Sequence, residues 1–128
     1  MSYGFSTTLD TDFATARART AAALAAEGFG ILTEIDVTAT LKKKLDVDFR
    51  PYTILGACNP HLAHQALSAE ADIGLLLPCN VVVQAVDGGT RVSIADPRAM
   101  FSVVDRDDME ALVGEATSRL KRVLAALA

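Results

Sequence analysis

Apolar and polar residues alternate cleanly at the start of the chain. Tyr3, Phe5, Thr7 and Leu9 are separated by Gly4, Ser6 and Thr8, which predicts a strand with one buried face. Asp10, Thr11 and Asp12 then offer N-cap side chains. The period changes to that of a helix running to about Glu27, with Phe13, Ala16, Thr20, Ala23 and Leu24 as its core stripe. Gly28 is placed to end it in the left-handed conformation. Phe29 to Val37 alternates again, with Phe29, Ile31, Thr33, Ile35 and Val37 expected on one face and Leu32, Glu34 and Asp36 on the other. Thr38 is expected to cap a short helix through Leu41 to Leu45, followed by a polar loop over 46–51.

Tyr52 to Cys58 reads as a buried strand stopped by Asn59-Pro60. Asn suits the N-cap and Pro the first helical turn, so a helix is expected from Pro60 to about Ala71. Its stripe is Leu62, Ala63, Ala66 and Leu67, which points His61 and His64 away from the core. Leu75 to Asn80 leads into a hairpin of Cys79 to Val86 and Thr90 to Asp96, turning at Asp87-Gly88-Gly89. Pro97 to Arg106 lacks a period and carries Met100 and Phe101. Asp107 and Glu110 have capping-box spacing before a final helix. That helix has a continuous stripe: Met109, Leu112, Val113, Ala116, Leu120, Val123, Leu124 and Leu127.

This pattern describes one α+β domain over residues 1–128, and 128 residues suffice for a hydrophobic core. The net charge of −4 sets aside nucleic acid as a partner. The one basic run, Lys42-Lys43-Lys44, is followed by Asp46 and Asp48 and reads as a solvated helix face. Two cysteines are too few for a disulfide scaffold. No signal-peptide pattern opens the chain, and no apolar run is long enough to span a membrane. A cytoplasmic protein without membrane contact is the resulting expectation.

The chemistry concentrates between Tyr52 and Asn80, which holds both cysteines and both histidines. Cys58 immediately precedes a helix N-terminus, a setting that can lower a thiol pKa. It also occupies the N′ position of a hydrophobic staple facing Ala63, where it would act only as a small apolar side chain. Cys79 can approach it if the two strands are neighbours. Two unlinked core thiols, a dithiol pair, and a soft-metal or haem site using Cys58, Cys79 and His61 all remain open. The spacing C-x2-H-x2-H with one distant Cys is not a familiar zinc pattern.

The chain resembles the bacterial and archaeal family known as domain of unknown function number 302. The resemblance covers nearly the whole sequence. It rests on Ile35-Asp36-Val37 with Thr40-Leu41-Lys42, on Tyr52 to Pro60 with Ala63 and Ala66-Leu67, and on Gly74 to Val81. It implies a curved antiparallel sheet with helices packed on one face, of the TATA-box-binding-protein-like kind, and a homodimer. It implies no established reaction.

Apolar residues nevertheless fall on both strand faces, as Ile31 and Leu32, Ile54 and Leu55, and Val81 and Val82 illustrate. A second, uncovered face is therefore expected to be buried against another copy. With no recognisable catalytic triad, the expected function is a small homodimeric, non-enzymatic binding or interaction module. Its ligand-contacting candidates are Cys58, Asn59, Cys79, Asn80, Met100 and Phe101. Thiol redox or sulfur transfer through Cys58 and Cys79 is the alternative, and soft-metal or haem binding a further one.

Overall fold

The computed structural model describes residues 2–128. Strand β1 (Gly4–Leu9) leads into helix α1 (Phe13–Ala26), then β2 (Gly30–Asp36) and α2 (Val37–Leu45). Strand β3 (Tyr52–Cys58) precedes α3 (Pro60–Ala69), and β4 (Cys79–Val86) and β5 (Gly89–Ala95) form the hairpin. A one-turn helix α4 (Pro97–Met100) and the long α5 (Glu110–Leu127) complete the chain. The five strands make an open antiparallel sheet in the order β1-β5-β4-β3-β2, with the helices on one side. The α+β expectation and its element order hold.

The core lies between that sheet and α1 and α5. Leu55, Val81, Val83, Val92 and Ile94 point from the strands, and Ala16, Leu24, Leu120 and Val123 meet them from the helices. Alternation along each strand puts these side chains on one face. Helix α1 ends as the sequence indicates: Gly28 has φ +84°, its N–H donates to the Ala25 carbonyl, and the Phe29 N–H donates to that of Leu24. This is a Schellman closure, with Phe29 and Leu24 both in the core.

Strand β2 departs from the predicted alternation. The β2–β3 register shifts between Ile31 and Thr33, leaving Leu32 as the exposed extra residue. Ile31 therefore packs on the core, while Ile35 pairs with Ile54 on the opposite face. Glu34 pairs with Leu55 and accepts from Arg17 of α1 on the helix side. A strictly period-two reading cannot anticipate a bulge, because one extra residue inverts every side chain after it.

Four local expectations are also corrected. Asp36, not Thr38, caps α2, its carboxylate accepting from the Ala39 N–H at 2.9 Å. Thr38 instead accepts from the Tyr52 N–H and donates to the Arg50 carbonyl, tying α2 to the start of β3. Helix α3 stops at Ala69, and a 3-10 turn over Ala71–Leu76 buries Ile73 against Ala66 and Met109 in a second, smaller core. The hairpin turn holds two residues, Asp87 and Gly88, since Gly89 already pairs with Val86. At the other end, Asp107–Met109 forms a 3-10 turn without a side-chain cap, and Arg106 binds Asp108.

Candidate functional site

The end of β3 places Cys58 at the mouth of a small cavity. The Asn59 side chain caps α3, accepting from the Leu62 N–H at 3.2 Å. Pro60 follows at the first helical position. Cys58 is therefore fixed at N′, one residue before the cap, and Ala63 lies at the staple position opposite. Cys79 opens β4 and pairs with Ala57, the residue before Cys58. Both thiols line the same cavity, and both are free.

The cavity has a volume of about 50 Å³. Ala57, Ala63, Ala66 and Ala116 line it with short side chains, which is why space remains between the sheet end, α3 and α5. Phe101 also lines it. The Asn59 side chain is buried at the rim, already committed to its cap. The lining carries no charged side chain.

This apolar setting decides the state of the thiols. Burial pushes the Cys58 thiol above its ordinary value of 9.0. Burial, then the proximity of Cys58, pushes Cys79 up to about 11. Both are protonated at neutral pH, so neither cysteine is poised as a thiolate. His61 and His64 lie exposed on the outer side of α3, as their spacing indicated, and neither lines the cavity. Among the described residues, no group of three or more His, Cys, Asp or Glu is arranged to hold a metal.

The chain matches the family described as "Domain of unknown function DUF302" over residues 5–127. It belongs to the DUF302 family. A crystal structure of an uncharacterized conserved DUF302 protein from Bacillus stearothermophilus is similar to it at 26% identity. The similarity covers 100% of both chains with a TM-score of 0.91. No curated protein matches the sequence.

Within this DUF302 fold the six ligand-contacting candidates divide between two places. Cys58, Asn59, Cys79 and Phe101 come together at the cavity. Asn80 and Met100 do not; they line a groove of about 420 Å³ on the opposite side of the sheet. Asn80 follows Cys79 directly, so strand alternation sends their side chains to opposite faces. Sequence reasoning missed Phe29, Leu112, Val113 and Ala116 as cavity residues. The α5 residues carried a helical stripe that signals packing alone, and nothing in that stripe marks where packing stops short. Among the described residues, no helix is long and apolar enough to cross a membrane.

Proposed function

We propose that this DUF302 chain is a homodimeric, non-enzymatic binding module. A second copy covers the β2–β3 edge of the open sheet face, and an apolar ligand group enters the cavity beside Cys58. One observation carries this reading: the sheet has helices on one side only, yet its other face is apolar at the β2–β3–β4 end. Ile35, Ile54 and Val82 stand in one cross-strand row there. Of the nine exposed large apolar side chains among the described residues, five (Leu32, Ile35, Leu45, Val47 and Phe49) belong to β2, α2 and the loop before β3. Helix α2 buries no residue of its own. So much apolar surface on one edge is characteristic of an interface.

The cavity supports the ligand half of the reading. At about 50 Å³ it takes a short apolar group, well below the ~300–1,000 Å³ of pockets that enclose whole ligands. Two protonated thiols and an alanine-rich wall favour apolar contact over nucleophilic chemistry. Sedimentation velocity tests the dimer: wild type sediments as two copies, and Ile35→Glu, which charges an exposed position, sediments as one while keeping its circular dichroism. A wild type that stays monomeric across micromolar concentrations rules the reading out.

A further inference from the structure

We infer that the groove on the β4–β5–β1 side of the open face binds a small organic carboxylate with a flat apolar body. This site is separate from the Cys58 cavity, which lies across the sheet. Tyr52, Gln84 and Arg91 stand in register across β3, β4 and β5, so their side chains share one face and converge on one end of the groove. Asn80, Tyr3 and Met100 line the rest. The volume of about 420 Å³ lies in the range of small-ligand pockets.

Charge complementarity selects the ligand. The chain carries a net −4, yet no acidic side chain lines this groove. Arg91 is its one cation, and among the described residues no carboxylate pairs with it. One guanidinium nitrogen donates to the Ser6 hydroxyl at 2.9 Å, which anchors the side chain on the sheet. The remaining donors of that planar fork match a carboxylate edge. The Gln84 amide lies beside Arg91 in the cross-strand row. The tyrosine rings and Met100 supply the apolar contact that an inorganic anion could not use.

The test is a 1H–15N NMR titration of the full chain with benzoate, 2-naphthoate, benzamide and inorganic phosphate. Benzoate or 2-naphthoate is expected to shift the amides of Gln84, Arg91 and Ser93 saturably. Benzamide is expected to bind at least about tenfold more weakly, because it cannot ion-pair with the guanidinium. Arg91→Gln should lose about tenfold or more in carboxylate affinity with the rest of the spectrum preserved, and Arg91→Lys should recover only part of it. Absence of saturable shifts at these amides with both carboxylates overturns the inference. So do equal binding of benzamide, unchanged affinity in Arg91→Gln, shifts confined to the Cys58 cavity, and phosphate binding as tight as benzoate.

Discussion

Thr33 on β2 stands directly over Gly56 on β3. The two are cross-strand partners just beyond the bulge, and a Cβ at position 56 would collide with the Thr33 hydroxyl. It would also lie 2.8 Å from Cγ of Pro78, whose ring cannot rotate away. Gly56 therefore lets the bulged edge strand and the entry to β4 close on β3 at once. Gly56→Ala should destabilise the fold by about 1–3 kcal/mol, the usual cost of overpacking. Gly30→Ala, with open space around its Cβ, should stay within about 0.5 kcal/mol of wild type. Urea denaturation of the two variants checks this, and similar midpoints for both would refute the close approach.

The cap that positions Cys58 can be measured the same way. Asn59→Ala removes the acceptor for the Leu62 N–H and should cost about 1 kcal/mol. Asn59→Ser keeps a capping oxygen and should recover most of that loss. If alanine and serine behave alike, the cap does not hold the α3 terminus.

How much of this was legible in the sequence depended on whether the signal was local. The β3-to-α3 junction was readable residue by residue, because a strand end, an Asn cap and a Pro at the next position are short-range chemistry. Helix α1 and its Gly28 closure were readable for the same reason. The bulge at Leu32 was not, since it is set by pairing with β3, and the misplaced faces of Thr33 and Ile35 follow from it. The capping box at Asp107 failed because Asp107–Met109 forms a 3-10 turn ahead of α5, so Asp107 does not stand at the N-cap of the helix. The resemblance to DUF302 and the order of elements along the chain were recovered, whereas the order of strands in the sheet was not read from the sequence. The separation of Cys79 from Asn80 onto two faces was implicit in strand alternation, but grouping them by sequence proximity concealed it.

The thiols give a pH prediction with a definite sign. Both folded-state pKa values are raised, so each contribution to stability is complete below the ordinary value of 9.0. The Cys79 contribution is lost as pH rises through about 11. Wild type should therefore lose more stability than Cys79→Ala between those values. At pH 7.5, iodoacetamide should modify Cys58 and Cys79 more slowly than glutathione, and Cys79 more slowly than Cys58. A Cys58 that reacts faster than glutathione would return thiol chemistry to the front.

The proposed two-copy binding module with reduced, unlinked thiols has a distinctive mass. The most direct test is a native mass spectrum of untagged protein prepared without oxygen. The expected species has twice the 13.5 kDa chain mass, with both cysteines of each copy reduced and no metal retained. A single-copy species, or a dimer whose added mass is a metal held through Cys58 and Cys79, would contradict it.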